Sequence, residues 1–203
     1  MVPSTPIAPT TGKPDQARPR GAARREALLD AVLLIVAESG TDAVTHRRVA
    51  EVAELPLAST TYWFKSKEHL LTAALELAAK RDIARLRDDV ASAPDSADPV
   101  VLAIDAILTP TEPVRTSLIT TYALLLEAAR RPALRAVAED WTQAYLDTIG
   151  ALLERAGSSQ PHDDAELLLA AADGLLITQL ATGHDADLQA PLVRLGRSLV
   201  GTS

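Results

Sequence analysis

Apolar residues recur every three or four positions along most of the chain, which is the spacing of amphipathic helices. The first stripe consists of Leu28, Leu29, Val32, Leu33, Val36 and Ala37. Gly40 follows it, and glycine is a common residue just after a helix end. No segment shows the strict alternation that is typical of a half-buried strand. The pattern therefore predicts an all-α fold.

Turn and capping residues divide this pattern into about nine helices. The predicted helices lie at about 20–39, 46–53, a short helix starting at Pro56, then 67–91, 98–108, 112–130, 133–156, 164–183 and 187–200. Thr45 and Ser66 are suited to N-cap two of them, because a hydroxyl oxygen can accept from a free backbone N–H. Gly157 and Gly183 are expected as C-terminal caps.

The chain divides into three predicted segments. Five of the 13 prolines fall within residues 1–19, so residues 1–18 are predicted to be a disordered arm. Residues 19–66 have the outline of a helix-turn-helix, because two short helices follow a longer one, although many three-helix cores that bind nothing share this outline. Residues 67–203 form the third segment, which is predicted to be a helical body.

The residue inventory argues against several classes of protein. The chain has no cysteine, which excludes disulfide scaffolds, thiolate metal sites and cysteine nucleophiles. Its four histidines do not have metal-binding spacing with carboxylates, and no phosphate-binding glycine loop or nucleophile elbow is present. We therefore expect no enzyme activity, no cofactor and no metal. No uninterrupted apolar run approaches the roughly 20 residues of a membrane span, so a cytoplasmic protein is expected.

The net charge of −7 is unevenly distributed. Residues 1–70 carry nine basic against eight acidic residues, whereas the remainder carries eleven against nineteen. A locally basic N-terminal part and a C-terminal part that repels polyanions indicate two separate roles.

Polar residues at the two short helices are of types that bind DNA. Thr45, His46, Arg47 and Arg48 stand at the start of the second helix, where the positive end of the helix dipole favours an anion. A run of four hydroxyls follows at Ser59, Thr60, Thr61 and Tyr62, and hydroxyls commonly contact phosphate oxygens. A solvated polar face is the alternative interpretation. For Trp63, packing on the first helix and contact with the DNA backbone remain equally open.

These residues agree in register with a known family. The matching positions include Leu28, Ala31, Ala37, Gly40, the run Val44–Ala50, Ala53, the run Pro56–Phe64, and Ser66–Leu70. This stretch, from Arg24 to Leu70, resembles the TetR family of bacterial transcriptional regulators. The resemblance covers about a quarter of the chain, and the rest matches only in being helical and of suitable length.

The resemblance implies a homodimeric repressor that binds a palindromic DNA operator and is released by a small molecule. It makes residues 19–66 the expected DNA-binding domain and residues 67–203 the expected regulatory domain for ligand binding and dimerisation. It places Arg47 at a base or phosphate contact, and Arg47 is the best candidate for a guanine. By the same correspondence, Thr45 and His46 lie at phosphate contacts. Leu57, Ala58, Ser59 and Thr61 lie on the exposed face of the recognition helix, and Tyr62, Trp63 and Lys67 are candidates for gripping the DNA backbone.

Two positions depart from the family pattern. Glu54 stands where the family usually has glycine, at a turn that often needs a positive φ, so the turn is expected to be strained or altered. Thr61 stands where many members have tyrosine, and the tyrosine follows one place later at Tyr62. Which of the two reaches phosphate is left open.

The helix predicted at 164–183 is apolar nearly all round, so it must be covered on two sides. With the last helix it is expected to form a four-helix dimer interface, in which small residues allow close approach. The interface residues expected are Leu168, Ala171, Leu175, Leu192, Leu195 and Leu199. The alternative is a helix central to the monomer.

A small-molecule effector is expected to bind among the helices of about 98–156, with further contacts from the next helix. Polar residues embedded in apolar stretches are the candidates: Thr121, Tyr122, Glu127, Trp141, Tyr145, Asp173 and Gln179. Each of them is individually compatible with an ordinary core or surface position.

The sequence thus predicts a ligand-responsive transcriptional regulator that binds double-stranded DNA as a homodimer, with no membrane partner. The alternative is a helical partner-binding protein whose DNA-reading head is degenerate, and the Glu54 departure supports it.

Overall fold

A computed structural model of the chain describes the backbone of residues 17–108, 114–184 and 186–201, and the side chains of residues 21–108, 117–184 and 186–201. Over these residues it forms nine α-helices and one 3-10 helix, with no strand. The helices are α1 (Ala17–Ser39), the 3-10 helix (Thr41–Ala43), α2 (His46–Val52), α3 (Leu57–Trp63), α4 (Lys67–Ser92), α5 (Pro99–Leu108), α6 (Val114–Ala128), α7 (Pro132–Arg155), α8 (Pro161–Thr182) and α9 (Gln189–Val200). The all-α prediction is confirmed.

The predicted capping residues occupy the positions expected of them. The Thr45 hydroxyl accepts a hydrogen bond from the Arg48 amide at 3.1 Å, and the Ser66 hydroxyl accepts one from the His69 amide at 3.1 Å. Gly157 and Gly183 follow α7 and α8 with φ of 99° and 69°, values at which a side chain would be strained. Local residue chemistry therefore sets where these helices begin and end.

Helix α1 starts earlier than the sequence predicted. It begins at Ala17, so the last two residues of the predicted disordered arm are helical, and residues 1–16 lie outside the described residues. Pro19 falls in the first turn of α1. A proline is tolerated there because its missing N–H has no partner in the helix in any case.

A first hydrophobic cluster joins the head, which comprises α1 to α3, to the body, which comprises α4 to α9. It contains Leu28 and Val32 of α1, Val49 of α2 and Phe64, each at most 1% exposed. Leu124 of α6, also 0% exposed, belongs to the same cluster. The head therefore shares one core with α4, α6 and the first half of α7, across the predicted boundary at residue 66.

A second cluster forms the other half of the body from α5, the end of α7, α8 and α9. Gly196 of α9 lies so close to α5 that a Cβ there would stand 2.7 Å from Val100. This cluster corrects the predicted interface, because Leu168 and Leu192 are 0% and 1% exposed inside the chain's own core. Leu195 and Leu199 also pack partly against this cluster. The apolar side of α9 is used within the chain.

Helix α8 nevertheless keeps an uncovered apolar face. Leu167, Leu175 and Ile177 are 57%, 37% and 48% exposed, and the exposed Gly174 lies beside them with open space around it. Among the described helices, α8 alone has the length and apolar content of a bilayer span. That finding departs from the sequence expectation, although Asp173 interrupts the apolar run and length and composition alone are weak grounds for a span.

The turn between α2 and α3 keeps the positive φ expected of the family's glycine. Glu54 has φ 53°, and it is the only non-glycine residue with a positive φ in the described chain. Its amide donates to Glu51 O at 3.2 Å, and Leu55 N donates to Ala50 O at 3.0 Å. The turn therefore adopts a left-handed conformation in spite of a side chain that disfavours it.

Replacing Glu54 by glycine is expected to stabilise the protein by about 1 kcal/mol, because glycine adopts a left-handed conformation without the Cβ clash. The free energy of unfolding from urea titration measures the effect. Ala53→Gly is the matched control, since Ala53 has an ordinary φ of −77° and glycine there should destabilise. A Glu54→Gly protein no more stable than the parent would contradict strain at this turn.

Candidate nucleic-acid interface and ligand cavity

The residues predicted to contact DNA lie on or beside α2, α3 and the first turn of α4. Seven of the head's polar and apolar candidates are exposed: Thr45, Arg47, Arg48, Leu57, Ala58, Thr61 and Tyr62. Leu57 and Tyr62 are 50% and 78% exposed. His46, Ser59, Trp63 and Lys67 are partly buried. The exposed set leaves both short helices open to a macromolecular partner.

Arg47 projects from α2 with its side chain 86% exposed. Its Nε donates to Glu51 Oε1 at 3.0 Å, one helical turn further on. Because exposed pairs at this spacing are worth only about 0.3–0.5 kcal/mol, the guanidinium can leave Glu51 for another partner at little cost.

The hydroxyl residues of α3 differ in their burial and in their hydrogen bonds. Thr60 is fully buried and its hydroxyl donates to Leu57 O at 2.8 Å, while the Thr61 hydroxyl donates to Ala58 O at 3.3 Å. Tyr62 points outward, and its ring meets the edge of Trp63 at 5.1 Å between centroids. Tyr62 is therefore better placed than Thr61 to reach a partner with its hydroxyl.

Trp63 packs against the first cluster, and a Cβ built on Gly21 of α1 would lie 3.7 Å from its ring. Trp63 therefore packs on α1, which is one of its two interpretations, and its contact with the DNA backbone stays a prediction. His46 is partly buried as well, and its Nδ1 atom is buried without a hydrogen-bond partner among the described residues.

Lys67 ties the start of α4 to the 3-10 helix. Its ammonium donates to Asp42 O at 3.1 Å and forms an ion pair with the Asp42 carboxylate at 3.5 Å. An ammonium has three donors, so contact with Asp42 leaves capacity for a further acceptor.

A cavity of about 110 Å³ lies in the body between α4, α5, α6, α7 and α8. Five of the seven predicted ligand-binding residues line it, namely Thr121, Tyr122, Trp141, Tyr145 and Asp173. Its remaining walls are Asp82, Arg85, Ile107, Ser117, Leu118, Leu125, Thr142, Leu169 and Leu176. All three aromatic residues outside the head contribute to this cavity.

Asp82 of α4 organises one side of the cavity. One of its oxygens accepts from Trp141 Nε1 at 3.0 Å and from the Tyr145 hydroxyl at 2.6 Å. The other accepts from Arg85 Nη2 at 2.9 Å. Burial alone would lower the pKa of Arg85, but Tyr145, Asp82 and Asp89 outweigh it, so the pKa is raised. Burial, together with the neighbouring Asp82 charge, raises the pKa of Tyr145, which stays a hydrogen-bond donor.

Asp173 of α8 also lines the cavity, and it has a single partner among the described residues. The Tyr122 hydroxyl donates to Asp173 Oδ1 at 2.9 Å. Burial raises the pKa of Asp173, and the hydrogen bond from Tyr122 opposes that rise. Burial and the adjacent carboxylate likewise raise the pKa of Tyr122. The pair is thus a partly desolvated carboxylate held by a neutral phenol.

Two predicted ligand residues lie away from the cavity. Glu127 lies at the far end of α6, where its carboxylate accepts from Arg131 Nε at 2.5 Å and from the Thr41 hydroxyl at 3.2 Å. The bond from Arg131 is the main reason that the pKa of Glu127 is lowered. Gln179 donates to Ala186 O at 3.0 Å, beyond the end of α8. Both hold chain segments together instead of lining the cavity.

Sequence reasoning missed Asp82 and Arg85. They fall in a stretch rich in charges of both signs, Arg81 to Asp89, which is typical of a solvated helix face. The packing of α7 against α4 partly buries Asp82 and Arg85, and the sequence carries no local signal for that. Among the described residues, no group of three His, Asp or Glu is arranged to hold a metal ion.

The raised pKa of Asp173 predicts a specific pH dependence. The folded protein keeps the Asp173 proton to a higher pH than the unfolded chain, whose value is near 3.8. Stability contributed by this group therefore falls as pH rises from about 4 through the raised pKa. The stability of Asp173→Asn relative to the parent should increase between about pH 4 and pH 7 in urea titrations. Asp163→Asn, on the exposed first turn of α8, is the control, and an identical trend in both variants would contradict the assignment.

Comparison with known proteins adds to this geometry. The family model for the tetracyclin repressor-like C-terminal domain matches residues 91–201, which is more than half of the chain. The transcriptional repressor KstR of Rhodococcus jostii is 39% identical over 72 residues, covering 36% of this chain. That match spans only about a third of KstR, 34% of its length.

Two solved structures extend the similarity over nearly the whole fold. A TetR-family member from Streptomyces coelicolor is 33% identical, with a TM-score of 0.66, covering 87% of this chain and 98% of that one. The multidrug binding protein EbrR, solved in complex with imidazole, is 32% identical with a TM-score of 0.66, covering 87% of this chain and 94% of its own. A helix-turn-helix head, a helical body matching the family's C-terminal domain and these relatives lead to one conclusion: the chain belongs to the TetR family of transcriptional regulators.

Proposed function

We propose that this protein is a cytoplasmic, homodimeric transcriptional repressor that binds a palindromic operator through α2 and α3. A small molecule entering the body cavity releases it from DNA. The observation that carries the proposal is that the same two helices, α4 and α6, reach both the cavity and the head. KstR is a transcriptional repressor, and EbrR binds small molecules including ethidium and proflavin.

Operator reading is assigned to the exposed residues of α2 and α3. Arg47 contacts a guanine after leaving Glu51, and Leu57 and Ala58 read a thymine methyl or the groove shape. Thr45 and His46 contact phosphates, and Ser59 and Thr61 belong to the face of α3 that meets the groove. Tyr62 and the free donor of Lys67 hold phosphates, whereas Trp63 supports α3 by packing on α1.

Ligand binding acts on the head through α4. Arg81 and Asp82 are neighbours on α4 with different partners. Arg81 forms ion pairs with Glu26 and Asp30 of α1 at 2.6 and 2.5 Å, whereas Asp82 is held by Trp141 in the cavity wall. A ligand that displaces Asp82 therefore also moves the contact between α4 and α1.

Helix α6 supplies a second link. Tyr122 lies in the cavity, and Glu127, one and a half turns later, is bonded to Thr41 next to α2. Thr120 of the same helix donates to Leu33 O of α1 at 3.3 Å. A shift of α6 on ligand binding thus reaches the 3-10 helix and α1 together, which changes the separation of the two heads in a dimer.

Dimerisation is assigned to the exposed face of α8, which contains Leu167, Ala170, Gly174, Ile177 and Ala181. Within one chain, the buried residues of α8 are Ala165, Leu168, Ala172 and Leu176, and they lie on its other side. An exposed apolar stripe of this kind marks an interaction surface, and the open Gly174 permits close approach of a second helix. Of the residues first expected there, Leu175 and Ala171 border this face.

The alternative of a degenerate head loses its support. It rested on Glu54 altering the turn, and Glu54 keeps the left-handed conformation of that turn. No other observation favours it.

Selection of bound fragments from a random DNA pool at physiological salt tests the proposal. An enriched palindrome with half-sites about 34–36 Å apart is the expected result. The absence of any enriched sequence, with protein refolded to remove a retained ligand, would contradict operator binding.

Arg47→Ala is expected to cost about 1–3 kcal/mol of operator affinity and to relax specificity at one or two base positions. Titrations on the selected operator and its single-base variants measure both effects. Arg87→Ala, on the exposed surface of α4 in the body, is the control and should bind as the parent does. Uniform weakening on all sequences would instead make Arg47 a phosphate contact.

Ile177→Glu is expected to convert the dimer to a monomer, because two charges would be buried at the two-fold contact. Sedimentation equilibrium distinguishes the 21.5 kDa monomer from a species of twice that mass. Leu126→Glu is the matched control, since Leu126 on α6 is 73% exposed and lies outside the α8 face. A dimeric Ile177→Glu protein would rule out this face.

A further inference from the structure

We propose that the body cavity binds a compact organic cation, with the Asp173 carboxylate as its counter-ion and the rings of Tyr122, Trp141 and Tyr145 as its walls. The proposal depends on the proposed function only where it identifies this cation as the effector. It goes beyond that function by naming the chemical class of the ligand.

The charge that lines the cavity is negative once internal pairing is counted. Arg85 is the one cationic side chain among the described lining residues. It is paired with two carboxylates, Asp82 at 2.9 Å and Asp89 at 2.7 Å. Asp89 lies outside the cavity lining, so within the wall Arg85 offsets Asp82 and Asp173 supplies the one negative charge in excess.

Arg85 has little capacity left for an anionic ligand. Its Nε donates to Asp82, its Nη1 to Asp89, and its Nη2 to Asp82, Tyr145 and Ala106 O. Its side chain is only 15% exposed. An anion would have to displace a carboxylate from a guanidinium that is already well bonded, so the cavity disfavours negative ligands.

Asp173 is the charge that lacks compensation. Among the described residues its partner is the Tyr122 hydroxyl, which satisfies one oxygen with a neutral donor. A partly desolvated carboxylate gains most from a positive partner, because the attraction is less screened than in water. Burial raises the pKa of Asp173, which is the sign expected of a carboxylate without a cation beside it.

The aromatic walls suit the same ligand. The donors of Trp141 and Tyr145 are used on Asp82, and that of Tyr122 on Asp173, so these groups offer a cation their rings. Ring faces attract cations, an effect that grows when the cation is desolvated. At about 110 Å³ the cavity is smaller than the roughly 150 Å³ of a cavity that holds benzene, so the ligand is compact unless the walls move.

Three molecules of one shape test this charge preference: tert-butylammonium, tert-butanol and pivalate. They place an ammonium, a hydroxyl or a carboxylate on the same tert-butyl group, and the amine is protonated at neutral pH. Binding is followed by fluorescence of Trp141 in a Trp63→Phe background, which leaves the cavity tryptophan as the only one in the chain. Matched potassium chloride or sodium chloride controls remove effects of ionic strength.

The expected result is at least tenfold tighter binding of tert-butylammonium than of tert-butanol, with pivalate weakest. Asp173→Asn should reduce the affinity for the ammonium at least tenfold and leave that for the alcohol within about twofold. Asp163→Asn, the exposed acid on the same helix, should change neither.

Equal binding of the three molecules, a preference for pivalate, no ammonium binding at 50 mM, or an unchanged ammonium affinity in Asp173→Asn would each overturn the proposal. Melting curves of the variants verify that each is folded. Operator binding is measured separately on unliganded protein, so a failure of the repressor function is seen there and leaves the charge preference of the cavity intact.

Discussion

The position of the body relative to the head depends on the hydrogen bonds that the Asp82 carboxylate accepts. It holds α7 to α4 through Trp141 and Tyr145, and it fixes Arg85 along the cavity wall. One residue earlier, Arg81 holds α4 to α1. Because this partly buried carboxylate accepts from Arg85, Trp141 and Tyr145, α4 cannot rotate at this point without losing several hydrogen bonds at once.

The distribution of charge follows from these two roles. The head presents cations, such as Arg47 and Arg48, on an exposed surface where they cost little and attract a polyanion. The body instead holds partly buried carboxylates and pairs them with phenol, indole and guanidinium donors. Because Asp82 and Asp173 bond to residues of other helices in the cavity wall, a ligand that contacts these few groups can displace those helices.

The shared hydrophobic cluster makes such a perturbation effective. Leu28 and Val32 of α1 lie in the same core as Leu124 of α6, so a displacement of α6 is felt in the head through packed side chains. The Thr41 to Glu127 hydrogen bond adds a polar contact at the same junction. The head and body are thus better described as one packed unit with two functional ends than as independent domains.

The sequence by itself determined what depends on neighbours along the chain. Helix positions, the Thr45 and Ser66 caps, the glycine stops and the helix-turn-helix register were all predictable, because capping and periodicity act within a few residues. Some of the cavity lining was also predictable, since Tyr122, Trp141 and Tyr145 are unusual in a chain with six aromatic residues.

Tertiary packing alone decided the rest. It partly buried Asp82 and Arg85, which on the sequence are typical of a solvated face, and it placed Leu168 and Leu192 in the chain's own core. It also placed Glu127 outside the cavity, where its carboxylate accepts a hydrogen bond from Thr41. Whether a charge is solvated or a leucine is free depends on which helix covers it, and residue spacing within one helix does not contain that information.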